Sequence, residues 1–224
     1  MTVATADDPL AIRLGTLDSC VVSDAMDRLG IKGVAYGLSR LSTSKKLFGQ
    51  ILTVKLEQAN GRTAERHLCT AAVDASKPGN VIVIEHHSRT DCAGWGGILS
   101  AAATEKALSG VIIDGMARDI DESEAFGLPV FGKGAVPATA RARIIETEFN
   151  TPITVCGIPV KPGDYALADG SGTVFLPADK AEEIIKTAEG LAAREADMMA
   201  AVKKGAPVAQ VMAGNYERML EKDD

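Results

Sequence analysis

Arg118 and Asp119 are adjacent, and Glu122 follows three residues later, so a guanidinium and two carboxylates stand close together in the chain. They come after residues 111–113, a short apolar run typical of a strand buried on both faces. Arginine can grip a carboxylate or carbonyl oxygen, and an adjacent aspartate can hold a hard cation. Mg²⁺ or Mn²⁺ held there would polarise a 2-oxo oxygen and stabilise the enolate formed when a neighbouring C–C bond breaks. A surface ion pair fits the same spacing.

A glycine-rich turn, Gly94, Trp95, Gly96 and Gly97, follows a second apolar run at residues 81–84 and opens a helix. Glycines let the backbone approach an anion closely, and a helix N-terminus directs free N–H groups to the same place. Ligands collect where loops leave the carboxyl ends of the strands of an open α/β sheet. A carboxylate site and a simple sharp bend both fit this turn. Trp95, the only tryptophan, is equally suited to a pocket wall and to core packing.

The spacing of apolar residues predicts alternating helices and strands. Helices are expected over residues 17–29, 68–76 and 99–108, and strands over 48–56, 81–84, 111–113, 128–131, 151–155 and 173–176. The order strand, helix, strand over 81–113 indicates a parallel crossover. A long helix, begun by Pro177-Ala178-Asp179, is expected to reach about residue 204. With no linker or repeat, one three-layer α/β domain is expected over residues 1–224, with its core at about 17–178 and a C-terminal helical arm at about 178–204.

Composition narrows the class of protein. The net charge is −6 and the 24 Lys and Arg residues are scattered, so nucleic acid is not an expected direct ligand. No apolar run approaches the roughly 20 residues of a membrane span, and the N-terminus lacks a secretory pattern. We therefore expect a cytoplasmic protein that does not bind a membrane. The four cysteines have no CxxC spacing and are expected to be reduced and mostly buried.

The three histidines do not indicate a metal site. His67, His86 and His87 show no HxH or HxxxH spacing, and two adjacent residues of a regular strand cannot face one ion. They are expected in loops near the mouth of the site, where His87 or Arg89 would touch the distal part of a substrate.

Several segments together resemble the RraA-like family. They are Gly-Val-Ile-Ile-Asp-Gly at 110–115 followed by Arg118-Asp119, the turn at 94–97, Asp-Ala-Met-Asp-Arg-Leu-Gly at 24–30, and the stretches 77–81 and 160–177. The family includes class II 4-hydroxy-4-methyl-2-oxoglutarate and 4-carboxy-4-hydroxy-2-oxoadipate aldolases, oxaloacetate decarboxylases and the regulator of ribonuclease E activity A. The resemblance implies a single three-layer RraA-like (swivelling β/β/α) domain.

The resemblance also implies roles for individual residues. The family signature is Gly or Asp, twenty residues, then Arg-Asp, and in one branch two more residues and an acid, which Gly97, Arg118, Asp119 and Glu122 fit. Asp119 would then bind Mg²⁺ or Mn²⁺, and Arg118 would hold the keto acid. Backbone amides of the turn would take the substrate carboxylate; the turn comprises Gly94, Trp95, Gly96, Gly97, Ile98 and Leu99. Glu57 and Arg66 would flank the site, although solvated faces explain them equally well.

Position 97 departs from many of the family's aldolases, which carry Asp there. Glu122 is therefore the candidate for the missing carboxylate, both as a catalytic group and at the metal. In this family a neighbouring subunit can add a Glu from its C-terminal helix, and Glu195 is a possible counterpart. The resemblance implies a homotrimer, or a hexamer of two trimers, with sites at the subunit boundaries.

The sequence thus predicts a metal-dependent lyase that cleaves a small 2-oxo acid by retro-aldol reaction or decarboxylation and releases pyruvate through an enolate. A lysine Schiff base is not expected, because no lysine lies in either turn. The fold leaves a second hypothesis open, a non-catalytic protein-binding ring resembling the ribonuclease E regulator. The retained Arg-Asp-x-x-Glu set favours the enzyme, since an interaction module has no need to keep these residues together.

Overall fold

The computed structural model of the chain describes residues 8–213. The helices are α1 Pro9–Leu14, α2 Ser19–Leu29, α3 Thr70–Ala75, α4 Gly97–Glu105, α5 Ile120–Ala125, α6 Ala181–Lys203 and α7 Val208–Val211. The strands are β1 Val34–Ala35, β2 Ser39–Arg40, β3 Leu47–Gln58, β4 Val81–Ala93, β5 Gly110–Ala117, β6 Val130–Gly132, β7 Gly134–Ala135, β8 Ile144–Phe149, β9 Ile153–Val155, β10 Ile158–Val160, β11 Tyr165–Ala168 and β12 Thr173–Leu176.

One curled, mixed sheet organises the domain. Its strand order is β1-β12-β11-β3-β4-β5-β6-β2, with β7 beside β5 and β8 beside β3, while β9 and β10 form a separate hairpin. Strands β3, β4, β5 and β6 are parallel to one another, and Ile82 pairs with Val111 in the centre. The pairs β11–β3, β8–β3 and β2–β6 are antiparallel. The α/β class and the predicted parallel crossover are therefore confirmed, because α4 carries the chain from β4 back to the start of β5.

Three apolar clusters fill the space around the sheet. One lies between the sheet and α3 and α4, and includes Ile84, Ile113 and Trp95. A second joins α1, α2 and α6 to the outer faces of β11 and β12. The third draws side chains from both ends of the sheet, among them Ile112 and Phe175, and so fills the inside of the curl. Because residues 81–84 of β4 and 111–113 of β5 are buried on both faces, these stretches are continuous apolar runs rather than alternating ones.

Local chemistry accounts for the boundaries of α2. Asp18 accepts the N–H of Val21 at 2.9 Å, so it is the N-cap, and Gly30 ends the helix in the left-handed conformation with φ of 70°. The expected start of the long C-terminal helix is wrong in detail. Lys180 precedes the first residue of α6, and no side chain caps it, so Pro177-Ala178-Asp179 is a turn before the helix.

Two further differences concern strands. β4 continues to Ala93 instead of ending near residue 84, because its pairing with β5 shifts at two irregular points and then resumes. β8, which pairs with the end of β3, was not expected, and neither were the hairpin strand β10 and strand β11. In residues 8–213 we find no helix with the length and apolar character needed to cross a membrane.

The start of α2 is tied to the β11–β12 turn through Asp169. Its carboxylate accepts the Ser19 N–H at 2.8 Å, the Ser19 hydroxyl at 2.6 Å and the Ser171 N–H at 2.9 Å. Burial disfavours the ionised form, but the hydrogen bonds outweigh it and hold the pKa of Asp169 below its ordinary value. Asp169 therefore stabilises the fold as a carboxylate.

Asp169→Asn should lower the free energy of unfolding by about 1–3 kcal/mol near neutral pH, because charge-assisted bonds to Ser19 are lost. A depressed folded-state pKa gives stability that is complete above the unfolded pKa of about 4 and is lost as the pH falls further. The difference from wild type should therefore shrink between about pH 4 and pH 2. Urea unfolding followed by Trp95 fluorescence measures it, with the exposed Asp74→Asn as control; a difference that grows on acidification would contradict the assignment.

Candidate active site

Two turns lie side by side because β4 and β5 are adjacent parallel strands. The turn after β4 leads into α4, and the turn after β5 leads into α5. Backbone hydrogen bonds join them: the Gly94 N–H donates to Met116 O at 2.9 Å, and the Arg118 N–H donates to Trp95 O at 3.0 Å. The two turns singled out from the sequence thus form one continuous surface.

Asp119 occupies an unusual backbone conformation at the start of α5. Its φ of 54° and ψ of 44° are left-handed, a region that aspartate enters more readily than most residues. Its Oδ2 accepts the Gly97 N–H at 2.9 Å and lies 3.3 Å from Arg118 Nε. The side chains of Arg118 and Asp119 are 42% and 36% exposed, so both can meet a ligand.

Glu122 lies directly against Gly97. The Glu122 Oε2 atom fills the space in which a Cβ at position 97 would lie, and Asp119 Cβ would be 3.2 Å from that Cβ. A side chain at position 97 would therefore displace Glu122. The carboxylates of Asp119 and Glu122 both border the same glycine.

These two carboxylates are the groups that could hold a metal. Across residues 8–213, no cluster of three or more His, Cys, Asp or Glu side chains has a geometry suited to a metal ion. Mg²⁺, however, commonly binds through one or two carboxylates and completes its shell with water and substrate oxygens. Asp119 and Glu122 beside an open pocket fit that donor set.

The turn has fewer free amides than its sequence suggests. The Gly94 N–H is bonded to Met116, and the Gly97 N–H is bonded to Asp119. The amides of Ile98 and Leu99, in the first turn of α4, have no intrahelical acceptor and can receive a carboxylate. The side chain of Ile98 is 89% exposed at this rim.

Trp95 belongs to the core. It is 2% exposed, and its indole Nε1–H donates to Ser100 Oγ at 2.8 Å. Ser100 Oγ in turn lies 2.8 Å from Ser123 Oγ, which connects α4 to α5. The sequence left two roles open for Trp95, and the structure fits both: its side chain packs in the core beneath the turn, and the residue lines the pocket.

A pocket of about 570 Å³ opens beside these groups. Arg118, Asp119 and the expected turn residues line one part of it; the turn residues are Gly94, Trp95, Gly96, Gly97, Ile98 and Leu99. Glu122 is beside Gly97 and is not one of the lining residues. The opposite walls come from residues 59–68 and 139–146.

The distal walls contain charged groups that the sequence interpretation missed. Arg62 and Arg141 line the pocket, and so does Glu146, a β8 residue whose side chain is 1% exposed. Glu146 accepts the Cys69 N–H at 2.6 Å and the Arg66 Nε–H at 2.8 Å. A carboxylate in an unrecognised strand gives no local signal, because its partners are far away in sequence.

Several other expectations about neighbouring residues are corrected. His87 and Arg89 do not line the pocket: Arg89 pairs with Asp91 at 2.7 Å, and His87 lies 3.7 Å from Glu85. Their strand, the extended β4, carries them away from the pocket. His86 is fully buried, and its Nε2–H donates to Cys92 O, because a carbonyl oxygen can only accept. Burial lowers the pKa of His86 and favours the neutral ring.

Of the remaining residues named from the sequence, Arg66 and His67 line the pocket, whereas Glu57 is paired with Arg62. Cys69 is buried; burial and then the Glu146 carboxylate raise its pKa, so it is not a thiolate nucleophile. The cysteines were expected to be mostly buried: Cys69 and Cys92 are buried, Cys156 is half-buried and Cys20 is exposed.

Glu195 is not part of this pocket in its own chain. It lies on α6, which packs on α2, and burial followed by the charges of Asp18 and Asp24 raises its pKa. A role for Glu195 at this kind of site therefore requires another copy of the chain.

Ser100→Ala should lower the free energy of unfolding by about 1–3 kcal/mol, because the buried indole N–H of Trp95 loses its acceptor. Urea unfolding measures the loss. The control Thr187→Ala removes a hydroxyl that bonds a carbonyl of its own helix, and should change the value by less than about 0.5 kcal/mol. Equal effects of the two substitutions would contradict the network.

Comparison with known proteins gives relatives of two kinds. A Halalkalibacterium halodurans protein with the provisional name 4-hydroxy-4-methyl-2-oxoglutarate aldolase is 27% identical over 78% of this chain and 79% of its own length. Protein DlpA of Legionella pneumophila is 25% identical over 86% of this chain, and this chain spans only 31% of DlpA.

Solved structures share the fold. An uncharacterized protein of Pseudomonas syringae superposes with a TM-score of 0.82 at 30% identity, covering 90% of this chain and 96% of that one. Streptomyces coelicolor RraAS2, described as an unusual member of the RNase ES inhibitor RraA family, has a TM-score of 0.75 at 25% identity, covering 84% and 94%. The family model "RraA-like: Aldolase/RraA" matches residues 19–175, more than half of the sequence. The chain therefore belongs to the RraA-like family.

Proposed function

We propose that this chain is a divalent-metal-dependent lyase that breaks a C–C bond of a small 2-oxo acid and releases pyruvate. One observation carries the proposal: the Asp119 carboxylate, bonded to the Gly97 amide and beside Arg118, borders a pocket with Glu122 against the same glycine. The aldolase names among the relatives support the same class of reaction.

Mg²⁺ or Mn²⁺ would be held by Asp119, with Glu122 as the second carboxylate. When bound, the cation supplies Lewis-acid polarisation of the 2-oxo oxygen. Asp119 suits this role because its backbone and its Oδ2 are both fixed by hydrogen bonds, which leaves Oδ1 for a ligand.

Arg118 and the turn bind the end of the substrate that becomes pyruvate. The amides of Ile98 and Leu99 would donate hydrogen bonds to the substrate carboxylate at the start of α4, and the Arg118 guanidinium would hold the 2-oxo group. Negative charge grows on the 2-oxo oxygen as the C3–C4 bond breaks. The Arg118 guanidinium beside this oxygen would therefore stabilise the transition state more than the substrate.

Glu122 acts as the general acid and base for the proton of the substrate 4-hydroxyl. In a retro-aldol cleavage, the 4-hydroxyl loses its proton as the C3–C4 electron pair moves into the enolate, and C3 then takes up a proton to give pyruvate. Glu122 lies against Gly97 beside the pocket wall, so it is suited to take up the first proton and to return it, both through water. Decarboxylation uses the same enolate but releases CO₂ and needs only the second proton transfer.

A Schiff-base route has no support in the pocket. No lysine from residues 8–213 lines it, so an amine nucleophile is missing from the described walls. The two carboxylates of Asp119 and Glu122 favour the enolate route instead.

Assembly is the second part of the proposal. A homotrimer, or a hexamer of two trimers, would bring Glu195 of one chain to the pocket of a neighbour. Glu195 is grouped with Asp18 and Asp24 on the α2–α6 side, away from its own pocket. The alternative is a ring that has no catalytic activity and acts through protein contacts, as the RraA inhibitors do. The following assay distinguishes this alternative from the lyase.

Asp119→Asn should reduce kcat/KM for pyruvate release by about 100- to 1000-fold, because the metal-holding charge is lost while asparagine tolerates the left-handed backbone. EDTA should abolish wild-type turnover, and Mg²⁺ or Mn²⁺ should restore it. A coupled pyruvate assay with oxaloacetate and 4-hydroxy-2-oxo acids measures both effects.

The matched control is Asp121→Asn, an exposed acid two residues further along α5, which should keep activity within about threefold. Turnover that resists EDTA, equal losses in the two variants, or no pyruvate from any of these substrates would reject the metal-dependent lyase.

Gly97→Ala and Glu122→Gln should each reduce kcat/KM, by up to about 100-fold, because the new methyl group displaces the carboxylate that the second change neutralises. The double variant should lose no more than Glu122→Gln alone. Gly190→Ala, at a helical glycine with open space around it, is the control. Losses that multiply in the double variant would show that the two positions act separately.

A further inference from the structure

The distal wall of the pocket contains a cation whose charge is not balanced. Four arginines line the pocket, Arg62, Arg66, Arg118 and Arg141, whereas Asp119 and Glu146 are the acids among its described lining residues. At neutral pH the walls therefore carry two more positive than negative charges, in a chain with a net charge of −6.

Three of the four guanidiniums have partners. Arg62 donates to Gln58 O at 2.7 Å and lies 3.4 Å from Glu57, and Arg66 is held by Glu146. Arg118 lies beside Asp119. Hydrogen bonds and ion pairs hold Arg62 and Arg66 against the wall, and Arg118 is already assigned to the 2-oxo end of the substrate.

Arg141 differs from the other three. Among residues 8–213 its side chain makes no ion pair or hydrogen bond; only its backbone N–H is engaged, with Thr139 Oγ1 at 3.2 Å. It is exposed and lines the pocket. A guanidinium with all its donors available is the group most suited to grip a planar anion.

The turn that carries Arg141 is held in place by its neighbour. Arg143 donates from its side chain to Thr139 O at 2.9 Å, and the N–H groups of Arg143 and Ile144 both donate to Ala140 O. Arg143 thus braces the turn and does not line the pocket, whereas Arg141 is presented to the pocket by that braced turn. Arg143 therefore stabilises the turn, and Arg141 is available to bind a ligand.

We propose that Arg141 is a specificity-determining residue: it binds a second acidic group at the far end of the substrate, so the site selects 2-oxo acids with two carboxylates over those with one. This inference rests on the proposed function, which supplies the reaction. It adds that the distal wall recognises the far end of the substrate. Arg118 and the α4 amides serve the first carboxylate end, and Arg141 serves the second.

Matched substrates test the proposal. 4-Hydroxy-2-oxoglutarate and 4-hydroxy-2-oxopentanoate differ in having a carboxylate or a methyl group at C5. Arg141→Gln should lower kcat/KM for the first by about 10- to 100-fold, chiefly through KM, and for the second by less than about threefold. Arg141→Lys should recover part of the loss, because it restores the charge without the planar fork.

Lys161→Gln is the control, since it removes one positive charge from an exposed position outside the pocket and should change neither value. Equal losses on both substrates, or an unchanged preference in Arg141→Gln, would overturn the proposal.

Calorimetric binding separates this inference from the reaction itself. Wild type should bind 2-oxoglutarate about 10- to 100-fold more tightly than 2-oxopentanoate, and Arg141→Gln should lose that preference. If wild type and variant behave so but no substrate is cleaved, the lyase proposal fails and the role of Arg141 stands. If pyruvate is released but wild type binds the two acids equally, the role of Arg141 fails and the lyase proposal stands. If neither acid binds, the role of Arg141 is rejected.

Discussion

The hydrogen bond from the Gly97 amide to the Asp119 carboxylate joins the two turns on which the candidate site depends. Each turn follows one of two adjacent parallel strands, so the sheet brings them to the same edge, but sheet pairing alone does not orient a side chain. The bond at 2.9 Å directs one carboxylate oxygen toward α4. With the Arg118 amide bonded to Trp95 O, it determines where the guanidinium and the carboxylate lie relative to the helix N-terminus.

The parts of the fold that could be predicted from sequence are those with local signals. The buried runs at 81–84 and 111–113 and the helix between them were recognised because apolar continuity and Gly or Pro punctuation are visible in one segment. Strand β8 was not predicted because it is stabilised by pairing with β3, which is far away in sequence. That pairing places Lys55 opposite Glu148, and nothing in the segment around Glu148 indicates it. The extension of β4 was missed because two irregular points interrupt its pairing.

The same distinction applies to the site. Arg118, Asp119 and Gly97 were found because a fixed spacing connects them, and they now lie together in space. The distal wall has no such spacing: Arg141 stands in a loop, and Glu146 is buried by residues 77 or more positions away. The end of the pocket assigned to chemistry is built from two turns of one sheet edge, whereas the opposite walls come from residues 59–68 and from the loop that carries Arg141 together with the start of β8. Loops change more readily than paired strands, so recognition can vary while the reaction end stays the same.

The left-handed backbone at Asp119 restricts which residues evolution can place there. Glycine, asparagine and aspartate enter this region at low cost, while alanine or a branched side chain would strain the start of α5. Glutamate, although it has the same charge, lacks that tolerance and would carry its carboxylate past the Gly97 amide. Position 119 is thus constrained twice, by backbone conformation and by charge. Aspartate is the one amino acid that meets both requirements, so a mutation in this codon that keeps the function has to be silent.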